Sequence, residues 1–76
     1  MVRQFVVSSS IRSVGFDSGS RVLEIEFCTG GIYQFHGVPE YVFDELLSAP
    51  SIGKYYQHRI KESYDPLRVG VVAHVD

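Results

Sequence analysis

Basic and aromatic side chains cluster between residues 51 and 61 of this chain. The residues expected to contact an anionic partner are Lys54, Tyr55, His58, Arg59 and Lys61. Residues three or four positions apart share one side of an α-helix, so Lys54, His58 and Lys61 are expected to lie together. Cations beside an aromatic ring can bind the phosphates and bases of single-stranded RNA. The alternative is a solvated helix face, which is the commoner role of charged helix surfaces.

Two further aromatic residues, Tyr33 and Phe35, follow a pair of glycines. On an open sheet face these rings could stack on RNA bases; on a covered face they fill a core. A three-residue hairpin loop over residues 29–31 puts Gly31 at the position that favours left-handed backbone. That loop pairs Phe27 with Tyr33, turns both aromatic side chains toward the core and favours core packing. The opposite sheet face is then predicted to be exposed and acidic, and it carries Glu24, Glu26, Gln34 and His36.

The other reactive side chains form no catalytic or metal-binding pattern. Cys28, His36 and His58 match no zinc-ligand spacing. Cys28 lies in a predicted turn and has no base partner evident in the sequence, while the serines at 8–10 are expected to bond to the local backbone. We therefore predict no catalytic residue, no metal, no cofactor and no enzymatic activity.

Length and composition indicate one small domain. The chain has 76 residues, 45% of them hydrophobic, and a formal net charge of −2. This charge does not favour tight nucleic-acid binding, which usually requires a basic surface. A lone cysteine, together with the lack of a signal-peptide or membrane-span pattern, predicts a cytoplasmic protein.

The hydrophobic pattern predicts an α+β domain, a three-stranded antiparallel β-meander followed by two helices packed on one face. The clearest strands are residues 11–16 and 21–27, and the third strand carries the Tyr33 and Phe35 pair. Residues 5–7 are expected to add a short edge strand. We predict a domain over residues 1–64 with its core at about 7–64. The tail, residues 65–76, is left open between an edge strand, pairing with a second copy and disorder.

Both helices have recognisable start signals. Val38-Pro39 opens the first helix with proline at its first helical position, and its apolar stripe is Val42, Phe43, Leu46 and Leu47. Ser51 is predicted to cap the second helix. That helix should be one regular α-helix, with Ile52, Tyr56, Ile60 and Tyr64 on the buried side and Tyr55 off it.

Several short motifs resemble the KTSC domain when they are taken in order from about residue 7 to 64. They are Ser-Ser-x-Ile, Val-Gly-Phe-Asp, Leu-x-Ile-x-Phe, Gly-x-x-Tyr-x-Phe, Val-Pro and Ala-Pro-Ser-x-Gly-Lys-Tyr-Tyr. The family takes its name from the C-terminus of some lysyl-tRNA synthetases and also occurs as small stand-alone proteins of bacteria and phages. Its central Tyr-x-Tyr motif reads Tyr33-Gln34-Phe35 here.

The resemblance implies structural roles for the residues of the family motifs and no catalytic residues. The motif positions are Tyr33, Phe35, Val38, Pro39, Ser51 and Gly53. The family has no established activity, and RNA binding is suggested only by analogy with the synthetase context. We expect a non-catalytic protein-interaction module that binds a protein partner or a second copy, and no membrane. The alternative is an RNA-binding module that uses the basic and aromatic face of the second helix.

Overall fold

The computed structural model describes residues 1–71 and contains five strands in one antiparallel sheet, ordered as in the chain. The strands are β1 Gln4–Phe5, β2 Ile11–Asp17, β3 Val22–Phe27, β4 Gly31–His36 and β5 Pro66–Val71. Between β4 and β5 lie α1 Glu40–Ser48, α2 Ile52–Tyr55 and a π-helical turn, Tyr56–Ile60. In this part of the chain no helix is long and apolar enough to cross a membrane.

The α+β class is confirmed; the sheet has five strands and not only the three of the predicted meander, because both chain ends supply the edge strands that the prediction left open. The predicted meander is present as β2, β3 and β4, and the two ends of the chain add β1 and β5 as edge strands. The first edge strand is Gln4–Phe5 rather than residues 5–7. Of the predicted tail, residues 66–71 form β5, while residues 72–76 lie outside the described part of the chain.

The core lies between one face of the sheet and the helices. Its buried members are Ile11, Val14, Leu23, Ile25, Phe35, Val38, Val42, Leu46 and Ile60. The predicted alternation of β3 and the predicted stripe of α1 therefore meet in one cluster. Fully burying an aliphatic or aromatic side chain contributes about 1.5–3 kcal/mol, so this layer supplies most of the favourable free energy of folding.

The β3–β4 hairpin differs from its prediction by one position in each strand. Its loop is formed by residues 28–30, so Ile25 lies opposite Tyr33, and the predicted pairing of Phe27 with Tyr33 is wrong. The left-handed loop residue is Gly30, with φ of 103°, and not Gly31. Because both strands shift together, the side-chain faces are unchanged, and the prediction that Tyr33 and Phe35 share the core face is confirmed.

Gly31 is required by a close approach rather than by its backbone angles. A Cβ atom at this position would lie 2.8 Å from Cε2 of Tyr33. The Tyr33 ring therefore lies over the glycine, and it also meets the Phe27 ring edge-on at 5.7 Å. The second glycine of the pair makes room for an aromatic ring at the border of the core.

The first helix begins one residue later than predicted. Pro39 has extended backbone, with φ −66° and ψ 149°, and is the N-cap, so Glu40 is the first helical residue. The Pro39 carbonyl accepts a hydrogen bond from the Val42 N–H at 3.0 Å. The fixed φ of proline suits either position, and ψ decides between them. At the other end, Ala49 is extended and stops the helix before Pro50.

The second helix is capped as predicted but is not a regular α-helix. The Ser51 hydroxyl accepts a hydrogen bond from the Lys54 N–H at 3.3 Å. Beyond Tyr55 the backbone hydrogen bonds connect residues five positions apart instead of four. An example is the 2.9 Å bond that the Lys61 N–H donates to the Tyr56 carbonyl. The wide turn places the Tyr56 ring edge-on to Phe27 at 5.1 Å while Ile60 remains buried. Aromatic packing of this kind gains about 0.5–1.5 kcal/mol per pair and offsets the poorer hydrogen-bond geometry.

Candidate functional site

A groove on the outer side of the second helix contains most of the basic and aromatic residues predicted from the sequence. We call it the helix groove; its volume is about 390 Å³. It is lined by Ala49, Pro50, Ser51, Lys54, Tyr55, His58 and Arg59. Lys61 does not line it. Since the π-helical turn inserts one more residue per turn, Lys61 does not follow His58 at the α-helical angle assumed in the prediction.

Tyr55 contributes both to the groove and to the core. Its ring packs against the core cluster, so the prediction that it lies off the buried side is wrong. Its hydroxyl donates a 2.6 Å hydrogen bond to Oε1 of Glu45 on α1. Burial, followed by this hydrogen bond and the charge of Glu45, raises the pKa of Tyr55 to about 12. The ring is thereby held in one orientation at the floor of the groove.

The cations of the helix groove form no ion pair with an acidic side chain of residues 1–71. Within residues 1–71, the ion pairs involve only Arg3, Arg12, Glu24 and Glu26. Lys54, His58 and Arg59 are exposed and form none of these pairs. An anionic ligand in the groove would therefore not have to displace a carboxylate of the described chain.

The second face of the sheet differs from its prediction. Glu24 and Glu26 are only 9% and 5% exposed, so this face does not present an open acidic surface. The Arg3 guanidinium approaches Oε2 of Glu24 to 2.7 Å and Oε1 of Glu26 to 3.9 Å. Gln34 donates a hydrogen bond to Glu24, and Ser13 donates one to Glu26. These partners compensate the desolvation of the two carboxylates, which we call the carboxylate pair.

A β-bulge in β2 adds a second arginine near this pair. Two residues of β2 span one step of β3 between Ile11 and Ser13, which leaves Arg12 as the extra residue. Its Nε lies 3.9 Å from Oε2 of Glu26. Sequence reasoning missed the role of Arg3 because the N-terminal segment carries little periodic pattern. The available signal was an arginine two positions before Phe5, in a segment predicted to run beside β2.

The remaining family-motif residues occupy packing or turn positions. Phe35 and Val38 have no exposed surface. A Cβ atom on Gly53 would lie 2.8 Å from Oγ of Ser10, so the glycine lets the β1–β2 loop pack against the second helix. Within that loop, Oγ of Ser8 accepts hydrogen bonds at 3.2 Å from the N–H groups of Ser10 and Ile11.

The residues considered as nucleophiles or metal ligands are not brought together. Cys28 is exposed in the β3–β4 loop, and His36 is exposed at the end of β4. His58 lies on the second helix. Over residues 1–71 there is no group of three or more His, Cys, Asp or Glu side chains placed to hold a metal ion.

The outer edge of β5 is the third surface available to a partner. Within the described residues, β5 pairs only with β4. Its side chains Leu67 and Val69 are 56% and 45% exposed. None of the core residues or their packed neighbours lies within residues 66–70 of β5. The strand therefore presents apolar side chains and an unpaired backbone edge to solvent.

A five-stranded antiparallel sheet with two helices on one face defines a small two-layer α+β domain. The KTSC domain family model matches residues 7–64, and the chain belongs to the KTSC domain family. An uncharacterized protein of Stutzerimonas stutzeri is 38% identical over 64 residues, which cover 84% of this chain and 90% of the relative. The crystal structure of a KTSC domain protein from Yersinia pestis matches with a TM-score of 0.88 and 40% identity, covering 91% of this chain and 97% of that one.

Other relatives carry a similar segment inside a much longer chain. A lysine–tRNA ligase of Trichormus variabilis is 36% identical over 56 residues, which cover 74% of this chain and 10% of the ligase. A lysine–tRNA ligase of a Nostoc species matches over the same length with the same identity. Sequences related to this domain therefore occur both in small proteins and as a small part of large enzymes.

Proposed function

We propose that this domain is a non-catalytic protein-interaction module that binds an extended segment of a partner protein along β5. The observation that carries the proposal is the outer edge of β5, which no other strand of residues 1–71 pairs with, together with the exposed Leu67 and Val69. Strand addition takes its affinity from main-chain hydrogen bonds and its specificity from alternate side chains. The edge carries one charge, Arg68; Pro66 at its start and a bulge at Val69 restrict such pairing to the residues between and beyond them.

The absence of an assembled catalytic group in the described chain supports a binding role. No cysteine or serine of residues 1–71 is hydrogen-bonded to a histidine, and the Ser51 hydroxyl is engaged as a helix cap. Nucleophilic catalysis requires a base within hydrogen-bond reach of the nucleophile. The lysine–tRNA ligase relatives also fit a module role, since their matching segment is 10% of their length.

The test is selection of binding peptides from a random library, followed by mapping on the labelled domain by amide NMR. We expect selected peptides to shift the amides of β5 and β4, and to lose binding in Leu67→Lys and Val69→Lys. Val7→Lys is the matched control, since Val7 is almost fully exposed and lies at the opposite side of the sheet.

Two results would contradict this assignment. Peptide shifts confined to the helix groove or to β1 would place the binding site elsewhere. A dimer of the domain alone that is lost in Val69→Lys would identify a second copy, and not a separate protein, as the partner of β5.

A second candidate function, RNA binding, is favoured by the helix groove. Lys54 and Arg59 surround an apolar floor that contains the Tyr55 ring, which is the combination used for single-stranded nucleic acid. The named ligases act on tRNA, which makes RNA a reasonable ligand for a related domain. The test is titration with short single-stranded RNA and with tRNA at low and at physiological salt.

Lys54→Glu and Arg59→Glu are expected to abolish RNA binding, whereas Lys61→Glu is the matched control because Lys61 does not line the groove. Loss of one phosphate contact should also reduce the slope of log affinity against log salt by about one unit. Equal effects of all three variants would indicate general electrostatics instead of the groove. No binding at low salt would exclude this candidate.

A further inference from the structure

The N-terminal residues Met1, Val2 and Arg3, which we call the strap, lie between two grooves next to the second sheet face. The first groove, of about 610 Å³, is lined by Met1, Val2, Phe16, Asp17, Ser20, Val22 and Gln34. The second, of about 210 Å³, is lined by Met1, Arg3, Phe5, Ser13 and Glu26. Met1 lines both, so the strap divides what would be one longer cleft across the sheet.

The strap is held by one charged side chain and by a close backbone approach. The Arg3 guanidinium binds the carboxylate pair, with its Nη1 atom 2.7 Å from Oε2 of Glu24. The main chain beside it passes over Gly15, where a Cβ atom would lie 2.6 Å from the Val2 carbonyl oxygen and 3.0 Å from Cγ of Arg3. The site therefore accepts an extended backbone over Gly15 together with a guanidinium over the two carboxylates.

The next firm attachment to the core is Val6, whose side chain packs against the core and whose N–H donates to the Arg12 carbonyl at 3.1 Å. β1 pairs only Gln4 and Phe5 with β2. The side chains of Val2 and Phe5 are 92% and 78% exposed, so they bury little apolar surface. Segments with few buried apolar contacts open locally at low free energy, well below that of global unfolding. The strap is thus the part of this sheet face that can leave without disrupting the core.

We propose that the strap is a displaceable internal ligand, and that its site binds an extended arginine-bearing segment of a partner protein. The two carboxylates favour a cation: without Arg3, Glu24 keeps only its Gln34 hydrogen bond, and Glu26 keeps Ser13 and the longer contact with Arg12, at 3.9 Å. An incoming guanidinium would restore the charge-assisted hydrogen bond that Arg3 makes, so the site favours an arginine-bearing segment over a neutral one. This site is separate from the β5 edge and does not depend on the function proposed there.

The test uses a fluorescent peptide with the sequence of residues 1–7 and its counterpart with alanine in place of arginine. The full chain and its Arg3→Ala variant are titrated with both. An internal competitor reduces the apparent affinity for the peptide in proportion to the fraction of sites that it leaves open. Arg3→Ala should therefore bind the arginine peptide at least about tenfold more tightly than the wild type. The alanine peptide should bind neither protein, and the shifted amides should lie at Gly15 and Glu24.

Two controls separate this site from a folding defect. Arg59→Ala removes an exposed arginine of the helix groove, which forms no ion pair with Glu24 or Glu26, and should leave peptide affinity at the wild-type level. Glu24→Gln with Glu26→Gln in the Arg3→Ala background keeps the shape of the site, removes its charge and should abolish binding. If Arg3→Ala does not fold, amide exchange of the wild-type chain replaces it, and excess arginine peptide should speed exchange at Phe5 and Val6 but not in β3.

Three results would overturn the proposal. Equal affinity for the two peptides would show that the carboxylate pair does not select a guanidinium. Exchange at Phe5 and Val6 as slow as in β3, with or without peptide, would show that the strap does not open. A wild-type dimer that Arg3→Ala disrupts would make the strap of a second copy the occupant.

Discussion

Tyr55 and Arg3 show how single side chains define the two polar sites of this domain. Each was visible in the sequence, but their partners were not. Tyr55 was expected off the buried side because an α-helical angle was assumed, yet its hydroxyl reaches Glu45 on the neighbouring helix. Glu24 and Glu26 were correctly placed on the second face, yet their exposure was wrong because a residue far along the chain neutralises them. Pairing between distant residues is tertiary information that local periodicity does not contain.

Replacing Tyr55 by phenylalanine tests the hydrogen bond between the helices. Near neutral pH the variant should be less stable by about 0.5–1.5 kcal/mol, the usual net value of one hydrogen bond. The raised pKa, about 12, means that the folded protein keeps the proton when the unfolded chain, with its ordinary pKa of 10.0, has lost it. This contribution is complete below pH 10 and is lost as the pH rises toward 12.

Urea unfolding at pH 9, 10 and 11 measures this effect. The wild type should lose stability over this range, and Tyr55→Phe should lose less; a remainder is expected because burial also raises the pKa of Tyr56. Tyr41→Phe is the comparison variant, since Tyr41 is exposed on α1 and makes the smallest of the contributions that raise the pKa of Tyr55. Parallel pH profiles of the wild type and Tyr55→Phe would contradict the assignment.

At the scale of helices and strands, the sequence predicted most elements, and its errors are small shifts with clear physical origins. Strand β3 and the stripe of α1 follow simple periods, and burial on one face enforces them. The hairpin loop was displaced because two adjacent glycines offer two equivalent loop positions, and the Tyr33 ring over Gly31 decides between them. The π-helical turn was missed because Tyr56 and Ile60 suit the buried side of an α-helix as well as that of a wider turn.

Ser51→Ala tests whether the second helix depends on its cap. Loss of an N-cap side chain costs about 1 kcal/mol, which for a domain of this size lowers the melting temperature by about 4–8 °C. Ser51→Asp should restore most of the loss, because an aspartate also accepts the hydrogen bond from the Lys54 N–H.

The matched control for this experiment is Ser63→Ala, an exposed serine beyond the helix that forms no side-chain hydrogen bond within residues 1–71. Thermal unfolding followed by circular dichroism is sufficient. A melting temperature of Ser51→Ala equal to that of Ser63→Ala would show that water replaces the cap without cost.

At the scale of the whole molecule, the core is built by the central elements, and the two edge strands contribute little to it. The helices, strands β2 to β4 and Val38 of the loop before α1 supply every member of the core described here, whereas β1 and residues 66–70 of β5 supply none. The sequence predicted this central unit and left the chain ends open. The ends could not be resolved from the sequence, because short or valine-rich edge strands have no buried face to impose a pattern.

Hydrogen exchange should show this hierarchy directly. Amides of β3 are expected to exchange only through global unfolding, because opening that central strand exposes buried side chains on both faces. Amides of β5 should exchange faster and with a weaker dependence on denaturant, because residues 66–70 contribute no side chain to the core. Exchange measured by NMR at several urea concentrations distinguishes the two, and equal behaviour of β5 and β3 would mean that the edge strand belongs to the cooperative unit.

The π-helical turn also has a consequence for permitted chain length. An i→i+5 turn holds one residue more than an i→i+4 turn, so Tyr56–Ile60 can be regarded as an α-helix carrying a single insertion. Gln57 is one of three exposed residues in this turn, with His58 and Arg59. Deleting it would close the turn to α-helical geometry and leave Ile60 in the core. Sequences of this family that are one residue shorter between the tyrosine pair and the buried isoleucine are therefore expected to keep the same fold.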